Sequence, residues 1–181
     1  VRRAGERLAL SGDHTVVALA GATGLGAAAQ GAVPQGFQPP EMKLIQVGTH
    51  TWYVQGLSAL GSPQNQNFIS NAGFVVTDDS VVVIDALGAP ALAERLLALI
   101  RGVTDKPVKT LILTHYHADH IYGAQVFHDA GARIYAQKLG REYLFSHTAQ
   151  GRLEASREDL APWINADTRL VEADDWFDGT Q

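Results

Sequence analysis

From residue 44 onward the spacing of apolar and polar positions changes period several times. Short β-branched and aromatic runs at 44–47 and 51–54 flank the turn Gly48-Thr49-His50 and predict a pair of strands. Residues 61–67, GSPQNQN, read as a polar loop. Apolar runs at 74–77 and 81–84, split by Asp78-Asp79-Ser80, predict a hairpin whose second strand runs into Asp85. Pro90 opens a helix at a position that tolerates proline. Leu92, Leu96, Leu99 and Ile100 repeat at helical spacing, and Gly102 marks the expected end. A buried strand is predicted over 108–114, a helix over 120–130 closed by Gly131, and a strand over 133–136. Residues 138–165 predict mostly helix, interrupted at Pro162. Leu170-Val171 predicts a short strand and 174–179 an acidic turn. Helices alternating with strands after a β-rich start predict a layered α/β (or α+β) domain, a mixed sheet with helices on one face.

The first forty residues follow a different rule. Residues 14–40 contain no Asp, Glu, Lys or Arg, and 15–29 (TVVALAGATGLGAAA) is a run of small and apolar residues. Arg2, Arg3 and Arg7 precede it, and Ala27-Ala28-Ala29 offers a small-x-small cleavage signal. Residues 1–30 therefore read as a signal peptide, with Arg2-Arg3 hinting at twin-arginine export, although Glu6 and Asp13 are unusual in such a leader. The expected location is periplasmic or secreted, with the cytoplasm as the alternative. The apolar run is too short and too glycine-rich for a spanning helix, which needs about 20 residues. Residues 31–42, rich in proline and glycine, read as a linker to a domain over 43–181.

Composition narrows the chemistry. The 181 residues carry 14 basic and 19 acidic side chains, a net charge of −5, which disfavours a nucleic-acid partner and leaves a small molecule as the expected one. Cysteine is absent, which excludes disulfides, thiolate metal sites and a cysteine nucleophile. Three of the seven histidines fall within six residues, in 114–124, THYHADHIYGA. The spacing His115-x-His117-x-Asp119-His120 directly follows the predicted buried strand. Alternate side chains of an extended segment point to one side, so His115, His117 and Asp119 can converge, and a turn into helix lets His120 join them. Imidazole and carboxylate are the donors zinc takes when thiolates are absent. A polar strand-to-helix turn would need no such grouping, and neutral ligation relieves the repulsion that three protonated histidines would suffer.

The His-x-His-x-Asp-His signature after an apolar strand, together with the strand 81–84 ending in Asp85, resembles the metallo-β-lactamase-fold hydrolases. The resemblance implies an αββα sandwich of which this chain matches the first half, incomplete at its C-terminal end. It implies that His115 and His117 bind one metal and that Asp119 and His120 bind a second. Asp85 would support the ligand loop, although strand-end aspartates are also common in plain turns. His120 resembles the glyoxalase II branch, and THYHADHIYGA is similar to zinc hydrolases of quinoprotein-relay and sulfur-oxidation systems.

The activity so implied is a hydrolase with two zinc ions, using a metal-bound hydroxide on a lactam, thioester or ester, with Asp119 orienting the nucleophile. The family's further ligands, a histidine, a bridging aspartate and a last histidine, are expected beyond Gln181. His14, His50, His128 and His147 do not fit their context. The alternatives are an oxidoreductase of the persulfide dioxygenase kind with a single iron, and an inactive truncated remnant of the fold. Oligomeric state is left open. For the leader, N-terminal sequencing of the protein from its native host should find a start beyond residue 29; a mature chain that begins at Val1 would end the export expectation.

Overall fold

The computed structural model describes residues 38–179; the predicted leader and most of the linker lie outside the described residues. Seven strands form one sheet in sequence order: β1 (Leu44–Gly48), β2 (Thr51–Val54), β3 (Ala72–Val76), β4 (Val81–Ile84), β5 (Val108–Leu113), β6 (Arg133–Gln137) and β7 (Asp175–Phe177). The first four pair antiparallel, as short turns allow. From β4 to β7 pairing is parallel, because a connection long enough to contain helix returns each strand in the same direction.

The helices are α1 (Pro90–Val103), α2 (Ala118–Ile121), α3 (Ala124–Asp129), α4 (Leu139–Leu144) and α5 (His147–Asp159). In α1 three of the four stripe residues, Leu92, Leu96 and Ile100, are almost fully enclosed, and Leu99 is partly buried against them. They join a core with the strand residues Phe74, Val83, Leu111, Leu113, Ile134 and Ala136, all on one face of the sheet. The alternating periods of strand and helix thus meet in a single apolar layer.

The other face carries a row with one residue from each strand in register: Ile45, Tyr53, Gly73, Ile84, Ile112, Tyr135 and Asp175. Ile84, Ile112 and Tyr135 are only half-buried there, and Ile45 is exposed. One side of the sheet is a finished core. The opposite side is mixed in character and only partly buried among the described residues.

Three local expectations need correction. The helix predicted over 120–130 is two short helices, starting at Ala118 and interrupted at Tyr122-Gly123. The break is tertiary in origin: the Gly123 N–H donates to the Leu87 carbonyl at 3.2 Å. A Cβ at Gly123 would lie 2.0 Å from the Ala86 carbonyl oxygen, so only glycine lets the backbone approach that closely. Leu170 and Val171 are not a strand. The last strand lies instead at Asp175–Phe177, within the segment expected to be an acidic turn. Its acids are what hold it: Asp174 accepts from the Ile134 N–H at 2.7 Å and Asp175 pairs with Arg133. Finally, α1 runs past Gly102 to Val103, and the Thr104 N–H closes it on the Ile100 carbonyl.

Leu96 and Arg101 separate core from surface on one helix. Leu96→Ala should cost about 2–5 kcal/mol in urea denaturation, whereas Arg101→Ala should stay within about 0.5 kcal/mol. Equal effects would contradict the packing of α1 against the sheet.

Candidate metal centre

At the C-terminal ends of β4 and β5 the two central strands deliver the residues of interest side by side. β4 ends in Asp85, whose backbone is left-handed at φ 61, a region aspartate tolerates better than most residues. Its N–H stays in the ladder, donating to the Ile112 carbonyl at 2.9 Å. The turn frees the carboxylate to reach across to the segment after β5. There Oδ1 accepts the Thr114 N–H at 2.8 Å, Oδ2 accepts the Thr114 hydroxyl at 2.8 Å, and Oδ2 also lies 2.9 Å from His120 Nδ1.

These contacts decide which ring nitrogens are free. Ionised Asp85 can only accept, so His120 Nδ1 carries the hydrogen and Nε2 is left as a donor atom for a metal. The single Thr114 hydroxyl hydrogen goes to Asp85. The same oxygen, 3.0 Å from His115 Nδ1, therefore accepts from that ring, and His115 Nε2 is likewise freed. One buried carboxylate thereby sets the tautomer of two histidines, one directly and one through a hydroxyl.

The segment 115–120 is aimed by its intervening residues. Tyr116 is buried and stacks on Trp176 with ring centroids 5.9 Å apart, so the flanking His115 and His117 stay exposed toward the opposite side. Gly140 makes room for that ring, since a Cβ there would sit 2.1 Å from it. Burial, and then the charge of Glu172, push the Tyr116 phenol up, so it stays neutral. α2 begins at Ala118 and turns Asp119 and His120 back. The Ser70 hydroxyl donates to the Asp119 carbonyl, and the His120 carbonyl accepts the Ala86 N–H at 2.9 Å.

The four predicted ligands come together. The His115 ring lies 4.7 Å from that of His117 and 4.1 Å from that of His120, centroid to centroid, and His120 Nε2 is 3.4 Å from Asp119 Oδ2. Among the described residues no group of three or more histidine, aspartate or glutamate side chains is arranged to hold a metal ion. The donor chemistry nevertheless suits zinc: two rings have Nδ1 engaged by the protein and Nε2 free, beside an open carboxylate. Burial first, then the neighbouring His120 and His117, hold His115 below the ordinary imidazole range against the pull of Asp85 and Asp119. For His120 burial also acts downward, but the Asp85 hydrogen bond and the charges of Asp85 and Asp119 leave a net rise.

His50, His128 and His147 are exposed and stand apart from this group, His128 beside Asp129 at 3.2 Å; His14 lies outside the described residues. Thr114, Ser70 and Asn67 were not singled out by sequence. Thr114 had a usable signal, a hydroxyl between a buried strand and a histidine. Asn67 holds the Gly88 carbonyl at 2.9 Å from 21 residues away, and nothing local announces it.

Comparison with known proteins agrees with the geometry. Residues 66–179 match the profile of the metallo-beta-lactamase superfamily. The fold is similar to a metallo-beta-lactamase from Hirschia baltica (TM-score 0.53, 17% identity, 77% of this chain and 52% of that one). It is also similar to one from Pontibacter korlensis (TM-score 0.51, 18% identity, 76% and 53%). The chain thus spans about half the length of these solved structures. Among curated sequences it is 32% identical over 66 residues to the linear primary-alkylsulfatase of Pseudomonas sp. (strain ATCC 19151), covering 33% of this chain and 12% of that protein.

The Asp85 network yields a pH signature. Because the folded-state pKa of His120 is raised, its contribution to stability is fully present below about pH 6.5, the unfolded value, and is lost as pH rises through the folded value. Asp85→Asn should lower the His120 titration midpoint, read by NMR on metal-free protein. It should also cost about 2 kcal/mol, with the gap from wild type widening toward pH 5 and narrowing toward pH 8. An unmoved midpoint would dissolve the network.

Proposed function

The chain belongs to the metallo-beta-lactamase superfamily, and on that premise we propose that the complete protein is a metal-dependent hydrolase of acyl compounds, a lactam, thioester or ester. The observation that carries this is the convergence of His115, His117, Asp119 and His120 at the ends of two adjacent strands, with two of the rings fixed by Asp85. His115 and His117 would hold one zinc ion, and Asp119 and His120 a second. When bound, zinc supplies Lewis-acid polarisation of the scissile bond and lowers the pKa of water toward about 7.

The protein's own part is orientation. Thr114 and Asp85 hold the Nδ1 atoms of His115 and His120 and leave Nε2 outward, so neither ring must rotate on binding, while His120, whose pKa Asp85 raises, would give up its extra proton to ligate. Asp119 is half-buried at the start of α2, its backbone held by Ser70, and its carboxylate would orient the attacking water. Catalytic zinc ordinarily has three protein ligands and an open position. The described residues supply two side chains for each ion, and we propose that the remaining ligands come from the rest of the complete protein. Similarity to an alkylsulfatase over 66 residues supports sulfate esters as a second substrate class. Among the described residues no helix is long and apolar enough to cross a membrane, and a small-molecule substrate fits the open site.

Metal analysis of the complete protein should find about two zinc ions per chain. His115→Ala and Asp119→Ala should each lower hydrolysis by about a hundred-fold or more while the circular dichroism spectrum is kept. A single iron per chain would favour the oxidoreductase alternative, and hydrolysis untouched by both substitutions would remove the proposed site.

A further inference from the structure

An open cleft of about 590 Å³ lies in front of the histidines, and its two walls differ in kind. One wall is the ligand group His115, His117 and Asp119. The other is built from the end of the chain's helical segment: Tyr143 on α4, and Thr148 and Arg152 on α5. Thr148 and Arg152 are four residues apart and so lie on one side of the helix. The positions that alternate with them, Ala149, Leu153 and Ser156, are buried in the core and fix which side that is. Ser146 caps the helix start by accepting the Ala149 N–H, which anchors the turn that carries Thr148.

Arginines elsewhere in the fold are mostly satisfied within the protein. Arg133 pairs with Asp175, Arg157 with Glu154, and Arg169 with Asp129. Arg141 pairs with Glu172, and Arg95 donates to the Pro40 carbonyl. Among the described residues the Arg152 guanidinium has neither an ion pair nor a hydrogen bond, and the same is true of the Thr148 and Tyr143 hydroxyls. Arg101 is also unpaired and, like Arg152, exposed, but it does not line this cleft. A guanidinium presents a planar fork of donors matched to an oxyanion, and two hydroxyls beside it extend that donor surface.

We infer that Arg152, flanked by Thr148 and Tyr143, binds an oxyanion carried by the substrate, so that the protein selects acyl compounds or esters bearing a carboxylate or sulfate over neutral ones. This rests on the hydrolase reading for the word substrate; the anion site itself rests only on the second wall. Asp119 lies in the same cleft, yet it does not take up Arg152 as a salt-bridge partner. The carboxylate is left to the ligand group and the cation to the incoming anion.

The test uses the complete, metal-loaded protein and a matched pair of 4-nitrophenyl esters, the anionic hemisuccinate and the neutral butyrate. In Arg152→Gln the ratio of kcat/KM, anionic over neutral, should fall about ten-fold or more, mainly through KM. Arg152→Lys should recover part of it. A ratio unchanged in both variants would overturn the proposal. A second readout needs no turnover: sodium sulfate and sodium succinate titrated into metal-free protein should shift the Arg152 Nε–H resonance, and that saturable shift should vanish in Arg152→Gln. Sulfate and succinate alike should shift the resonance if the site reads a bare oxyanion; succinate alone would assign it to carboxylates. If the wild type hydrolyses neither ester, the hydrolase reading suffers and the titration decides the anion site by itself. Absence of any shift with either anion would overturn it.

Discussion

The carboxylate of Asp85 is the constraint on which the ligand group depends. It sits buried where β4 stops, in a left-handed backbone position, and takes up the Thr114 N–H, the Thr114 hydroxyl and His120 Nδ1. A buried carboxylate without partners is costly, and one with three is a rigid junction. Here the junction ties the end of one strand to the segment leaving its parallel neighbour. The orientation of two imidazoles on the histidine side of the cleft follows from it.

The surrounding loop is organised to defend that junction. Residues 85–89 contain two non-glycine residues at positive φ, Asp85 and Leu87, and Leu87 is fully buried. Such conformations persist only where neighbours over-determine them. The neighbours are backbone groups from three other segments: Ile112, His120 and Gly123 bond to residues 85–87, and Asn67 reaches Gly88. Gly123 and Gly88 are the points of closest approach, each leaving no room for a Cβ. The core beneath, with Leu92, Leu96, Val83 and Leu111, supplies the rigidity that keeps this loop from relaxing.

Sequence made one layer of this legible and hid another. Periodicity placed the sheet, its hairpin and α1, because each buries one face and shows it in its spacing. The histidine grouping and Asp85 were visible because their residue types are chemically unusual at that density. What stayed hidden is long-range. The break at Gly123 comes from a hydrogen bond to Leu87, 36 positions earlier, and local propensity favoured one continuous helix. The last strand was masked by its own acids, which read as a turn until Arg133 and the Ile134 N–H are seen beside them. Asn67 ends the segment read only as a polar loop and Ser70 follows it, yet both are buried.

The sequence distances within the junction show where the order of the ligand group comes from. Asp85 meets partners 29 and 35 residues away, Asn67 meets one 21 away, and Ser70 meets Asp119 across 49. Closing such loops carries an entropic cost that the rest of the fold must offset. The segment THYHADH taken alone would carry the right donor atoms and none of their order. Its rings would sample both tautomers and its backbone would have no reason to turn at Ala118. The ligand group is therefore a property of the finished sheet and not of the segment that carries its donor atoms.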